Sequence, residues 1–234
     1  MAELKGTFYG VSVGPGDPEL LTLQAVRLIR KCPVLAAPQT SSGQMLALDI
    51  ACSALGEALD GKTIVPLHFA MSRDPAVLAV SHKAAVQAVR PYLDAGQDVA
   101  MLNLGDVSIY ATFGYLQRLL EAEGYPTAMA AGVPSFCAAA ARLNVSLTGG
   151  MDAPLTIAPG SWAGRVLDTP GTKVLMKTGR QLPALLDTLR QTDKLKKSAL
   201  VCNCGLPDEQ VCPDLSRGQP QVQPGYFTTV LVKE

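Results

Sequence analysis

The residues best suited to chemistry fall in a few short segments. Leu104–Thr112 (Leu-Gly-Asp-Val-Ser-Ile-Tyr-Ala-Thr) follows an apolar run of strand length and sets a carboxylate, Asp106, a phenol, Tyr110, and a hydroxyl, Thr112, behind Gly105. A glycine lets backbone approach a ligand closely, and in open α/β sheets ligands sit beyond the carboxyl ends of strands. The other reading of this segment is an Asx-capped loop leading into a helix at Phe113. Gly132-Val-Pro-Ser-Phe136 starts a helical pattern, where free amides and the Ser135 hydroxyl suit a carboxylate or a sugar, or simply cap the helix. Tyr9–Thr22 runs from apolar strand through a rigid turn to a helix start. Pro15 and Gly16 suit a type II turn with positive φ at Gly16, and Asp17 caps a helix opened by Pro18. It is not a dinucleotide loop, because Ser12 stands where the middle glycine of Gly-x-Gly-x-x-Gly belongs and Pro15 removes an amide donor.

Met176 and Lys177 end another strand-like run. On a regular strand they point to opposite faces, so both reach one pocket only at a bulge or a strand end. Six cysteines include Cys202, Cys204 and Cys212, but Cys-x-Cys lacks zinc-knuckle spacing and His68 and His82 are distant in sequence. Buried reduced thiols are the expectation, with no metal. The Lys194, Lys196 and Lys197 run reads as solvated surface.

These segments need elements to hold them. Apolar runs at Thr7–Val13, Val34–Ala37, Thr63–Pro66 and Val99–Asn103 alternate with helical periods at Pro18–Lys31, Asp74–Leu93 and Phe113–Ala122, which predicts a parallel α/β sheet. Glu123-Gly-Tyr-Pro126 breaks the pattern. The boundary is set there, giving domains 1–123 and 124–234. The second domain is predicted to open with a strand at Thr127–Ala130 and a helix at Pro134–Leu143. Strands at Leu155–Ala158, Thr172–Lys177, Ala199–Asn203 and Tyr226–Val232 follow, with a helix at Leu182–Arg190. The fold class is thus α/β, an N-terminal parallel-sheet domain and a C-terminal mixed-sheet α+β domain. Asp214–Pro224 reads as a surface connection.

The 234 residues balance 20 Lys and Arg against 20 Asp and Glu, so no positive field favours nucleic acid or anionic membrane, and a small-molecule partner is expected. Met1–Lys5 lacks the order of a secretory signal and no apolar run approaches membrane-spanning length. A cytoplasmic protein is the expectation.

Read together, Gly10-Val-Ser-Val-Gly-Pro-Gly-Asp17, Leu104–Thr112, Gly132–Phe136 and Val174-Leu-Met-Lys177 resemble the tetrapyrrole methylases, over nearly the whole chain. Within that family the long match through Pro15–Thr22 and the Ser-Ile-Tyr-Ala-Thr-Phe run are most like the precorrin-2 (cobalt-factor II) C-20-methyltransferases. Departures are Val107 and Ala131 where proline is frequent, and Pro134 where a small polar residue is usual. The resemblance implies two α/β domains with S-adenosylmethionine in the cleft between them, S-adenosylhomocysteine as product, a tetrapyrrole acceptor and a homodimer. It puts Gly105, Asp106 and Val107 against the methionine portion of the donor, with Tyr110, Ala111 and Thr112 behind. Pro15, Ser135, Phe136, Met176, Asn203, Cys204 and Thr228 complete the implied donor contacts, with Met176 against adenine. Precorrin-2 offers an electron-rich meso carbon that loses a proton after methylation, and Asp106, Lys177 and Tyr226 are the acid–base candidates. A same-fold methyltransferase for another tetrapyrrole carbon, or for a modified protein or RNA, is the alternative. A non-catalytic tetrapyrrole carrier is the reading from a different class. Whether the acceptor carries cobalt is left open.

Overall fold

The apolar runs of the first half become parallel strands because their residues alternate between two buried faces. The computed structural model describes residues 4–218 and 225–233, and the chain divides into two compact units, one ending at Pro134 and one starting at Ser135.

In the first unit β1 (Phe8–Ser12), β2 (Val34–Pro38), β3 (Thr63–Leu67), β4 (Val99–Asn103) and β5 (Thr127–Ala130) form one sheet in the order β3-β2-β4-β1-β5, every pair parallel. The helices are α1 (Leu23–Lys31), α2 (Leu46–Leu55), α3 (Pro75–Asp94) and α4 (Phe113–Ala122). The pleat sends Leu35 and Ala37 into a core with Ala25, Ile29 and Ile50 of α1 and α2. Val34 and Ala36 enter the opposite core with Val89, Phe113 and Leu116 of α3 and α4. The sheet is therefore covered on both faces, as its apolar strands require. Phe113 lies flat against Gly10, where a Cβ would stand 2.8 Å from the ring, and it stacks on Phe8 at 5.2 Å. Full burial of each ring contributes about 1.5–3 kcal/mol.

In the second unit β6 (Leu155–Pro159), β7 (Thr172–Met176), β8 (Ser198–Cys202), β9 (Gln210–Cys212) and β10 (Thr228–Val232) form a mixed sheet ordered β6-β7-β10-β8-β9. Only β6 and β7 run parallel. The helices are α5 (Ser135–Arg142), which packs on β10, α6 (Ala163–Val166) and α7 (Leu182–Gln191), whose Leu182, Leu185, Leu186 and Leu189 form the core with Leu175, Leu200 and Val230.

Several expectations change. Thr127–Ala130 does not open the second domain but pairs with β1, so the first unit extends past residue 123 to Pro134. The predicted helix over Pro18–Lys31 is broken. Asp17 caps a single 3-10 turn, Pro18–Leu20, then Leu21 is extended and the chain restarts at Thr22, whose hydroxyl accepts from Ala25 N at 3.2 Å. The positive φ of the Pro15 turn sits at Gly14 (φ 74), not at Gly16. Helix α2 went unpredicted because only Asp49 and Ser53 interrupt the otherwise apolar and small residues of Leu46–Leu55, which leaves a weak helical period. Strand β10 begins at Thr228, after Tyr226 and Phe227. Of the predicted Asp214–Pro224 connection, residues 219–224 lie outside the described part, as do residues 1–3 of Met1–Lys5.

Candidate functional site

Strand order decides where the first unit can take a ligand. β1 leads to α1 on one face of the sheet, while its neighbour β4 leads to α4 on the other. Their connections diverge, and the crevice so formed at the carboxyl ends of these strands is the topological switch point of the sheet.

The two strand-end loops are joined there. Gly105 N donates to Gly14 O at 2.7 Å, and both glycines adopt positive φ, 70° and 74°. Beside them the fully buried Ser12 hydroxyl donates to the Ala130 carbonyl at 2.8 Å and accepts from Val107 N at 2.9 Å, tying β1, β5 and the 104–112 loop together. Gly132 packs so closely on this residue that a Cβ would stand 2.2 Å from Ser12 Cβ. Any side chain at residue 132 would collide.

Asp106 does not present an open carboxylate. Its Oδ2 accepts from Gly132 N at 2.7 Å, and its Oδ1 accepts from Ser108 N at 2.8 Å and from the Ser108 hydroxyl. Burial pushes its pKa up, but the Ser108 hydroxyl and the Gly132 and Ser108 amides outweigh it and hold the carboxyl below its ordinary value. The geometry is that of a clamp between two loops rather than of a proton acceptor. Val107 points its side chain into the α3/α4 core at 3% exposure, leaving only its backbone for a ligand. Pro15 is buried beside the Gly14 junction. Tyr110, at φ 50, is exposed, and Ala111 and Thr112 are half-buried. The Thr112 hydroxyl makes no capping bond to α4.

The second unit gathers its candidates at one end of its own sheet. The carboxyl ends of β6, β7 and β8 and the start of β10 share that end. Met176 is the last residue of β7 and is buried, and Lys177 follows in the left-handed region at φ 55. The kink resolves the facing conflict, because regular strand alternation stops between them. Lys177 Nζ lies 5.3 Å from the centre of the Tyr226 ring, so two of the acid–base candidates meet. Asn203, at φ 50, donates from Nδ2 to Asp208 at 2.6 Å. Cys204 is buried, and Cys202, its pKa raised chiefly by burial, lies against the Thr228 hydroxyl at 3.4 Å. The Thr228 hydroxyl donates to Gly225 O at 2.8 Å, while its carbonyl accepts from Thr178. Ser135 opens α5 and Phe136 is buried. Among the described residues, no three His, Cys, Asp or Glu side chains gather as a metal site.

Sequence reasoning missed Ser12 and Thr178. The signal was available for Ser12, a lone hydroxyl closing an apolar strand inside the Gly10–Asp17 motif. For Thr178 nothing local sets it apart.

Joined strand-end loops at a switch point define an α/β protein built to hold a small ligand. Over residues 7–217 the chain matches the Tetrapyrrole (Corrin/Porphyrin) Methylases, and it belongs to that family. It is 33% identical over 194 residues to a probable cobalt-precorrin-2 C(20)-methyltransferase of Methanocaldococcus jannaschii, covering 82% of this chain and 81% of the relative. It is 30% identical to the cobalt-precorrin-2 C(20)-methyltransferase of Salmonella typhimurium, over 99% of this chain and 98% of that one. The fold is shared with the uroporphyrin-III C-methyl transferase of Thermus thermophilus solved with S-adenosylhomocysteine, at a TM-score of 0.68 and 22% identity over 97% of each chain.

Proposed function

We propose that this protein transfers a methyl group from S-adenosylmethionine to C-20 of precorrin-2 or its cobalt form during corrin ring synthesis. The observation that carries the reading is the 30% identity maintained over essentially the full length of a relative with that activity. The donor supplies an electrophilic methyl on a sulfonium, and the chain supplies position and exclusion of water.

The residues present fit such a donor. At the switch point Gly14 and Gly105 let backbone come close, and Tyr110, Ala111 and Thr112 remain accessible, offering a ring and the Thr112 hydroxyl, which does not cap α4. In this reading Pro15, Gly105 and the Val107 backbone line the methionine portion, and Asp106 locks the loop by gripping Gly132. Ser135 and Phe136 hold the ribose side. In the second unit Met176, Asn203, Cys204 and Thr228 offer apolar contact and backbone to adenine, as their gathering at one sheet end supports. For the proton that leaves the methylated carbon the acid–base candidates are Lys177 and Tyr226, whose Nζ and ring centre lie 5.3 Å apart, because the Asp106 carboxylate is taken up by Gly132 and Ser108. The protein works as a cytoplasmic homodimer.

Incubation with methyl-labelled donor and precorrin-2, with and without cobalt, tests the reading. Label at C-20 is expected. Label at another carbon, or none, refutes it.

A further inference from the structure

Helix α4 starts where the 104–112 loop ends, and one cation on it has been placed with unusual care. The Arg118 guanidinium lies 5.1 Å over the Tyr115 ring. That ring also stacks on His82 at 4.5 Å and 14°, and His82 meets Phe69 tilted at 57°, the ring centres 6.2 Å apart. Four side chains are thus linked by successive contacts, with α3 supplying His82 and α4 supplying Tyr115 and Arg118. A guanidinium attracted to a ring face is held there while its N–H groups stay available to a ligand. Arg118 is exposed, and no carboxylate among the described residues pairs with it.

Its direction matters as much as its support. Helical side chains lean toward the N-terminus of their helix, and a Cβ built on Gly114 would stand 3.9 Å from Arg118 Nη1. The guanidinium therefore lies back over the first turn of α4, two residues from Thr112, at the carboxyl end of the first sheet. A surface arginine serving only solubility needs no aromatic support beside a ligand loop.

We infer that Arg118 is a substrate-recognition residue whose exposed guanidinium takes a peripheral carboxylate of the acidic macrocyclic acceptor. The inference rests on the proposed tetrapyrrole methylation and adds the residue that reads the acid groups. It assigns Arg118 binding and orientation, not proton transfer. Tyr115 acts through it, as the ring that supports the guanidinium.

An octacarboxylic porphyrin and its octamethyl ester are the probes, titrated by fluorescence against the whole protein. Parent protein is expected to bind the acid and not the ester, and Arg118→Gln to weaken acid binding by about tenfold to a hundredfold, as loss of a charge-assisted hydrogen bond does. Arg118→Lys recovers only part, because an ammonium neither stacks nor forks. Tyr115→Leu, which keeps the charge and removes the ring, weakens binding by about threefold. In turnover the Arg118→Gln loss falls on acceptor KM, with kcat, S-adenosylhomocysteine affinity and unfolding midpoint within a few-fold or a few degrees of the parent. Acid binding unchanged in Arg118→Gln, or fully restored by lysine, overturns the inference. Failure of the function reading looks different: porphyrin binding that depends on Arg118, with no methyl transferred by the parent.

Discussion

Replacing Gly132 with alanine challenges the strand-end geometry of the first unit directly. A Cβ there stands 2.2 Å from Ser12 Cβ and 2.7 Å from the Gly105 carbonyl oxygen. Neither neighbour is the end of a flexible side chain, so backbone must move. Overpacking of this kind costs about 1–3 kcal/mol. Displacing Ser12 also breaks its bond to Ala130 or to Val107, for about 1 kcal/mol more. Together they amount to about 2–4 kcal/mol, a fall in Tm of about 5–15 °C for a chain of this size. Urea and thermal unfolding measure it. Gly164→Ala is the matched control, since a Cβ there meets nothing within 4 Å and the residue lies in α6; it should gain about 0.5–1 kcal/mol. A Gly132→Ala protein within about 0.5 kcal/mol of the parent would refute the packing argument.

Asp106, its carboxyl held below the ordinary 3.8, contributes stability that is fully present above that value and is lost as pH falls through the lowered one. Asp106→Asn should lessen the loss of urea stability as pH falls below 3.8, and should cost about 1–3 kcal/mol at neutral pH by setting an amide donor against donors. His82 also has its pKa lowered, by burial and then by Arg118, so stability should decline as pH drops below 6.5 toward the lowered value. Arg118→Gln should move the His82 imidazole titration upward by NMR, and an unchanged midpoint would separate the two residues electrically. Thiol labelling with mass mapping should find Cys52 and Cys137 first, while Cys32, its pKa pushed up to about 11 by burial, reacts only on unfolding.

Local physics wrote much of the fold into the sequence. Helix α3 begins after Asp74, whose side chain accepts from Ala76 N at 2.8 Å, and α4 spans the predicted residues Phe113–Ala122. What local sequence does not carry is partnership. The Thr127–Ala130 strand is visible, yet its neighbour β1 lies over a hundred residues earlier, and nothing near Thr127 says so. Gly14 and Gly16 both permit positive φ, and only the bond from Gly105 selects Gly14. The same holds at the site. Asp106 is legible as a carboxylate beside a glycine, but its commitment to the Gly132 amide comes from the meeting of two loops. The left-handed kink at Lys177 likewise depends on where β7 ends.

The middle strand of the second sheet, β10, is the last in chain order, lying between β7 and β8. A ribosome therefore delivers β6, β7, β8 and β9 before the strand that unites them, and until it arrives two ribbons with bare inner edges must wait side by side. Clipping the chain before Thr228 would leave those edges open permanently, converting the centre of the sheet into a template for any passing extended segment.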